Sequence, residues 1–582
     1  MKLTRIRMLI AFIPMLIFYV ATAQNNSIPH LEKDDKHEFL KVENKHFLML
    51  AGELHNSSTG SIEYMRPIWR RLADKNLNTV IAPVTWELFE PSEGNFDYSL
   101  VDSMILGARK ENLKLVILWF GSWKNGKSTY APEWVKTDPK RFPLAKDKNG
   151  NTFSTLSTFG KHTLNADRNA IVELMKRIKE LDNKDHTVLM VQIENEVGLV
   201  DYRAAYQGTP NSCMRDFSKE ATKLFRNRVP QGLLTYLKKN EATLHPVLKK
   251  AWEENGNKTD GSWEEVFGTG VKNDGEEWKT EYSYLTEELF MSWHYARYIG
   301  EITKAGKEVY PLTMYVNAWL KQPKLTDPGL YPSGGPQEHV IDVYRAAAPD
   351  IDFIAPDIYE VNEFDWFCEK FSKSGNPLFI PETKVDADAA SRAFYAFGKY
   401  KILGYSPFGI DGGGLLNTAD TEDKSFTKVY GVLNALNPFF QRYSGTDKMN
   451  GLFIDSKKTT DQVEMGDYSV SIERPSYLQA MGLLGTEFNG IQNSKELASG
   501  VIIFQLAKNE FLIAGGIGAT LIRISKSLSN KSNNIGYASI DEVTIEEGLI
   551  KTHRLNGDET AFGGPVILAG EAKIFKIRMY DY

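Results

Sequence analysis

The chain of 582 residues is 42% hydrophobic, 12% aromatic and 25% charged, a globular composition that excludes a disordered, collagen-like or coiled-coil protein. Its 69 Lys and Arg against 75 Asp and Glu give a net charge of −6 with no long basic block, which argues against a nucleic-acid binder because phosphate contacts need clustered Lys and Arg. Eleven Trp and 26 Tyr offer flat apolar faces of the kind carbohydrate sites use, although core packing accounts for most of them.

Lys2, Arg5 and Arg7 precede an apolar run, Met8–Val20, that ends in Ala21-Thr22-Ala23. A positive segment, an apolar stretch too short for a ~30 Å hydrocarbon core and a small-x-small site read as a secretory signal at 1–23, cut before Gln24. The expectation is an exported protein, periplasmic or secreted, with no membrane segment after cleavage. Cys213 and Cys368 are the two cysteines. They make neither a disulfide framework nor a metal cluster, and two buried free thiols are expected.

After a polar lead-in, Asn25–Asn44, short apolar runs recur at His46–Gly52, Thr79–Val84, Lys114–Phe120, Val188–Ile193, Val309–Val316, Asp352–Ile358, Pro377–Ile380 and Ile402–Phe408. Continuously apolar runs such as Leu115-Val116-Ile117-Leu118 suit parallel strands covered on both faces. Helical patterns lie between them, as at Ile62–Lys75 and Ala170–Leu181. Eight alternating units predict an α/β fold, a (β/α)8 TIM barrel over 24–440, with a doubly wound sheet as the alternative. A helical insertion at about 200–305, with helices expected at Met214–Lys239, His245–Trp252 and Glu281–Ala305, follows the fourth strand and either walls the site or decorates the barrel. Beyond Phe440, short runs at Tyr468–Ile472, Gly500–Leu506, Glu510–Ala514, Thr520–Ile524 and Lys573–Met579 predict a smaller C-terminal β-sandwich over 441–582.

Polar residues that end barrel strands at the C-terminal face are catalytic candidates. The fourth run ends Gln192-Ile193-Glu194-Asn195-Glu196-Val197-Gly198 and the seventh ends Ile380-Pro381-Glu382-Thr383. Strands four and seven lie across the mouth, so Glu196 and Glu382 can face one another over a bound molecule. Glycoside hydrolysis needs such a pair, one carboxyl kept protonated as acid and the other ionised. No His pair stands within four residues of another, no G-x-S-x-G elbow occurs, and Gly412-Gly413-Gly414 follows the eighth run and not the first. These absences argue against a metal-dependent hydrolase, a serine hydrolase and a dinucleotide enzyme. A non-catalytic carbohydrate-binding protein is the rival from another class.

The Gln192–Gly198 segment is similar to the Q-x-E-N-E-Y-G signature of the glycoside hydrolase family 35 β-galactosidases, a clan of retaining (β/α)8 glycosidases with bacterial members that carry a C-terminal β-domain. Thr85-Trp86-Glu87-Leu88-Phe89-Glu90-Pro91, with Gly94 and Phe96, resembles that family's W-x-x-x-E-P-x-x-G-x-F/Y stretch, and Gly52-Glu53-Leu54-His55 stands at its G-x-x-H turn. The resemblance implies an exo-acting retaining β-glycosidase, a β-galactosidase acting on terminal β-D-galactosyl residues of oligo- or polysaccharides, without a cofactor or a metal. It implies Glu196 as acid/base, Glu382 as nucleophile, Asn195 on the sugar 2-hydroxyl and Tyr359 on Glu382. Trp123 and Trp319 are candidate stacking platforms, and His55 and Glu87 candidate pocket residues. Val197 stands where relatives have Tyr, Ser122 where many have a galactose-contacting Glu, and Glu87 where Asn is usual. An arabinopyranoside, glucoside or modified galactoside therefore stays open as substrate.

Overall fold

Eight parallel strand positions close a ring in the computed structural model, which describes residues 27–34, 37–199, 213–273, 277–323, 325–412, 424–475, 487–488, 491–492, 497–528, 534–546 and 549–582. The signal-like segment 1–23, residues 200–212 of the insertion, and Gly413 and Gly414 lie outside them. Strands Met49–Glu53, Thr79–Thr85, Lys114–Lys124, Val188–Asn195, Thr313–Trp319 and Phe353–Asp357 pair in parallel in that order. The seventh position is reduced to a bridge, Ile380 against Tyr405, and the eighth strand, Gly404–Tyr405, returns to Met49 and Leu50. The backbone N–H of Ile358 donates to the Glu382 carbonyl at 3.0 Å and joins the sixth strand to the seventh.

Each strand is followed by helix: Ile62–Met65 with Ile68–Asp74, Ser99–Lys110, Lys161–Asp182, Leu285–Val309, Ile341–Ala347, Phe364–Phe371, Ala387–Tyr395 and Lys424–Ala435. Three expectations shift for local reasons, the first being the helix expected over Met214–Lys239, which is two, Lys219–Phe225 and Gln231–Lys239, parted at Pro230. Pro67 splits the helix expected over Ile62–Lys75, since proline cannot supply an interior N–H. Val309 ends a helix instead of starting the fifth strand, which begins at Thr313 after Pro311. The helix Leu285–Val309 is the one that completes the fourth unit. The insertion helices Gln231–Lys239 and Trp263–Phe267 pack against Ile341–Ala347 and Leu285–Val309 respectively, on the flank of the barrel. Among the described residues no helix is long and apolar enough to cross a membrane.

The lead-in is not featureless. Its strands His30–Lys33, Glu38–Val42 and Lys45–His46 form an antiparallel sheet, and the alternation Phe39-Leu40-Lys41-Val42 turns Leu40 and Val42 into the barrel. There they join the interior cluster of Met49, Ile81, Val116, Phe120, Met190, Tyr315, Phe353 and Phe379 and plug its floor. The open, polar end is therefore the opposite one.

The C-terminal sandwich packs a six-stranded sheet, from Met449–Ile454 to Leu549–Leu555, on a four-stranded one built on Thr460–Met465, Tyr468–Glu473, Thr520–Lys526 and Val566–Ile567. Its core includes Leu452, Val470, Ile503, Ile522 and Phe575. The sandwich is fastened to the barrel by the Gly500 N–H on Ser391 Oγ (2.6 Å) and the Ala498 N–H on Asp388 (2.7 Å). Phe504 inserts among Phe439, Phe440 and Tyr443, which belong to the helix Asn437–Tyr443 that bridges residue 440. Cys213 and Cys368 are both buried and free. We expect Phe504→Ala to cost about 3 kcal/mol of stability through the cavity it leaves, read as a lower urea midpoint; an unchanged midpoint would show that this contact does not couple the two parts.

Candidate active site

The fourth strand leaves the barrel through two residues in the left-handed region, Glu194 (φ 61°) and Glu196 (φ 44°). Such a conformation costs a non-glycine residue about 1–2 kcal/mol and persists only where the surroundings fix it. Here they do. The Glu196 N–H donates to Asn317 Oδ1 at 2.9 Å, and Gly198, at φ 152°, lies where a Cβ would come within 2.3 Å of Pro332. Glu194 turns into the wall, and its two carboxyl oxygens accept the backbone N–H groups of Ser122 (2.9 Å) and Trp123 (2.8 Å).

Those two N–H groups belong to a bulge in the third strand. Trp119 faces Ile193, while Lys124 faces Asn195, so five residues on one strand match two on the other. Gly121 is required at its centre: a Cβ there would lie 2.4 Å from Trp119 Nε1 and 2.9 Å from Glu194 Oε1. The Trp119 indole and the Ser122 hydroxyl both donate to Asp167, at 3.0 and 2.6 Å. Burial and the facing Asp167 push the Glu194 carboxyl well above its usual range, and the N–H groups of Trp123 and Ser122 offset part of that effect. The bulge delivers Asn125 to the mouth, where its amide donates to Glu196.

Glu196 and Glu382 meet as strands four and seven converge. With Asp357 they form a trio in which one oxygen of each lies within 4.8 Å of the others. Tyr359 Oη donates to Glu382 Oε2 at 2.8 Å; burial, Glu382 and Asp357 push its phenol well above its usual value, so it remains a donor. The Asn317 amide, from the fifth strand, donates to Asp357 Oδ2 (2.8 Å), Asn195 Oδ1 (3.1 Å) and more distantly Glu382 Oε1 (3.4 Å). Glu53, ending the first strand, is fully buried, and among the described residues neither of its carboxyl oxygens has a hydrogen-bond partner. Burial and the facing Glu382 and Glu196 push it well above the carboxylate range, with Lys124 offsetting part of the effect. The trio has the oxygen donors a hard cation takes. However, Asn317, Tyr359 and Asn125 aim N–H and O–H hydrogens at its members, which suits protons and hydroxyls better than a cation.

The sequence-derived candidates divide. Asn195, Glu196, Tyr359 and Glu382 come together, and the Asn195 Nδ2 donor is buried without a hydrogen-bond partner among the described residues. Trp319, half-exposed at the end of the fifth strand, lies 5.9 Å from Tyr359 and lines the same mouth. His55 sits on the rim and contacts Asp411 at 2.9 Å; burial opposes ionisation of Asp411, but the bonds from His55 and Ser58 hold it below its usual range. Trp123 is not brought to the mouth. It is 1% exposed, donates to the Leu156 carbonyl and packs on Tyr295 and Tyr298, because the bulge turns it into the wall. Glu87 is not brought there either; it follows the second strand and pairs with Lys136 at 3.1 Å. Ser122 likewise sits in the wall, on Asp167 and Tyr298. Sequence reasoning missed Glu53, Lys124, Asn125, Asn317 and Asp357. Glu53, Lys124, Asn125 and Asp357 stand at or just past a strand end, and that position was the available signal, whereas Asn317 lies inside its strand.

We expect Glu194→Ala to strand two buried N–H groups at about 1–3 kcal/mol each, lowering the unfolding midpoint, and to cost turnover at least about tenfold by releasing Asn125 from Glu196. Wild-type stability and activity in this variant would remove the wall role assigned to Glu194.

Residues 59–324 match the glycoside hydrolase family 42 model, described as Beta-galactosidase, and residues 426–566 match a model described as Domain of unknown function (DUF5597). No curated protein sequence matches the chain. Among solved structures, the chain is similar to the β-galactosidase of the psychrophilic Marinomonas ef1 (13% identity, TM-score 0.45, covering 68% of this chain and 61% of that one). It is also similar to the catalytic domain of β-amylase from Paenibacillus polymyxa (13%, 0.46, 66% and 97%) and to the β-galactosidase of Bacillus circulans sp. alkalophilus (15%, 0.42, 69% and 59%). The chain thus spans about three-fifths of the length of these two β-galactosidases. The family match falls on the barrel segment that carries Glu196, and by it residues 59–324 belong to a glycoside hydrolase domain.

Proposed function

We propose that the protein is an exported, exo-acting retaining β-glycosidase, with a terminal β-D-galactosyl residue of an oligo- or polysaccharide as its substrate. The observation that carries this reading is the approach of Glu196 and Glu382, one oxygen of each within 4.8 Å, from strands on opposite sides of the barrel mouth. Retaining glycosidases hold their two carboxyl groups about 5–5.5 Å apart, whereas inverting ones leave about 6.5–9.5 Å for a water. The family match to residues 59–324 supports the reaction class. The finer kinship with family 35 rests on the Gln192–Gly198 motif.

In the first step, Glu382 attacks the anomeric carbon while Glu196 gives its proton to the departing glycosidic oxygen. In the second, Glu196 takes a proton from water as that water displaces Glu382, restoring the original configuration. Tyr359 orients Glu382 and disperses its charge. Asn195 Nδ2, without a hydrogen-bond partner among the described residues, serves the sugar 2-hydroxyl, a contact that strengthens as charge develops on the ring. Trp319 offers the aromatic face beside Tyr359. A protein that only binds sugar has no use for opposed carboxyls supplied with donors in this way.

A glycone other than galactose is favoured by one feature. Ser122, which occupies the place of the galactose-contacting Glu of many family 35 enzymes, is buried in the wall, and Glu53 with Lys124 stands near the catalytic pair instead. A panel of nitrophenyl β-galactoside, glucoside and α-L-arabinopyranoside distinguishes these readings. We expect release from a β-D-glycoside or its α-L-arabinoside counterpart, with an acid-side optimum. Glu196→Gln should lower turnover on unactivated substrates about 10²-fold or more, and Glu382→Ala should lower it by several orders of magnitude, both with folding intact. Azide should partly rescue Glu382→Gly and yield an α-glycosyl azide. Near-normal turnover in either carboxyl variant would remove the assignment.

A further inference from the structure

The double-displacement scheme uses two carboxyl groups, yet a third stands between them. Asp357, 2% exposed, ends the sixth strand with one oxygen within 4.8 Å of both Glu196 and Glu382. Its Oδ2 accepts from Asn317 at 2.8 Å. Its Oδ1 is buried, and no N–H or O–H among the described residues donates to it. The Asp357 and Glu196 carboxyls are in hydrogen-bonding contact, which two ionised carboxylates cannot make, and two buried like charges so close repel strongly. A single proton between Asp357 and Glu196 removes both problems.

We infer that Asp357 is a positioning residue that shares one proton with Glu196, keeping the acid/base catalyst protonated until the leaving oxygen takes that proton. The inference rests on the reading of Glu196 as acid/base. The charge count of the cycle supports it. Before the first step, Glu382 is an anion and the Asp357–Glu196 pair carries one proton. As the bond from the anomeric carbon to the leaving oxygen breaks, a bond to Glu382 forms and Glu382 loses its charge. The shared proton leaves on the alcohol, and the pair gains that charge. The second step reverses both changes, with water supplying the proton and the attacking oxygen. The cluster thus keeps the same net charge, and no extra ion has to enter a buried site.

The groups facing Asp357 are Glu53 from the first strand, Glu196 from the end of the fourth, Tyr315 from the fifth and Glu382 from the seventh position, with Tyr359 two residues beyond the end of its own strand. Burial first, then Glu382, Glu196 and Glu53, push the Asp357 carboxyl well above its usual range. Lys124 offsets part of the effect on Glu53. Asn317 is the neutral donor that fixes Oδ2.

The test is the pH profile of kcat/KM, which reports the free enzyme's essential groups, for wild type and Asp357→Asn on the best nitrophenyl glycoside. Without its like-charged neighbour, Glu196 gives up the last proton more readily. The alkaline limb should therefore move to lower pH by about one unit or more. The loss should also be larger on a nitrophenyl glycoside than on its dinitrophenyl analogue, whose departure needs less protonation. An alkaline limb and leaving-group dependence equal to wild type would overturn the inference. Thermal melts establish folding, and Asp357→Ser is the second variant. Should neither fold, the wild-type profile decides, since a limb near the ordinary Glu value of ~4.3 excludes a shared proton. Failure of the reading beneath it looks different: either no glycoside is cleaved, or Glu196→Gln retains activity.

Discussion

Asn317 is the point on which the arrangement turns. Its carboxamide oxygen holds the Glu196 N–H, and its amide hydrogens serve Asp357, Asn195 and Glu382. One neutral side chain thereby ties the ends of strands four, six and seven around carboxyl groups that repel one another. Collecting four acids, Glu53, Glu196, Asp357 and Glu382, where the first three are at most 2% exposed and the last 5%, is expensive in low dielectric. A buried acid cluster stays folded by hydrogen-bonding its charges and by keeping some members neutral. Tyr359, Asn125 and Asn317 supply the bonds, while a single proton shared by Asp357 and Glu196 limits the charge they carry together.

The rest of the barrel can be understood as support for that cluster. The floor is sealed by Leu40 and Val42 of the N-terminal sheet, so the polar end is the one at which the strands finish. The third-strand bulge, held by Glu194 and its partner Asp167, fixes where Asn125 reaches the mouth. The sandwich fastens to the seventh helix through Ser391 and Asp388, and that helix follows directly on the segment carrying Glu382. Its contact with the barrel therefore braces one of the two opposed carboxyls from outside.

Much of the fold was legible in the sequence, because parallel strands covered on both faces are continuous apolar runs. Leu115–Leu118 and Val188–Val191 are clear examples, and even the short Pro377–Ile380 segment marks the seventh position. The N-terminal sheet was not legible, since His30–Lys33 and Lys45–His46 carry few apolar residues and gain their structure from a single face, Leu40 and Val42, against the floor. Glu196 and Glu382 were legible from position and motif. Trp123 was misjudged because a strand-end aromatic faces the mouth only when the register continues, and the bulge at Gly121 breaks it. Glu87 sits in a short helix, Trp86–Phe89, directly after the second strand, and that turn carries it to Lys136. Asn317 was missed for a different reason: a single polar residue inside an apolar strand carries its meaning only when its neighbours across the barrel are known.

The claim at the centre is that Glu382 becomes covalently attached to the sugar while Glu196 manages the proton. Incubation with an activated 2-deoxy-2-fluoro glycoside of the accepted sugar slows the second step more than the first and accumulates the attached form. Mass spectrometry of the peptic digest then locates it. The account predicts a stoichiometric mass increase on the peptide containing Glu382, lost slowly as activity returns. A label on Glu196, Asp357 or Glu53, or hydrolysis with inversion and no label at all, would contradict it.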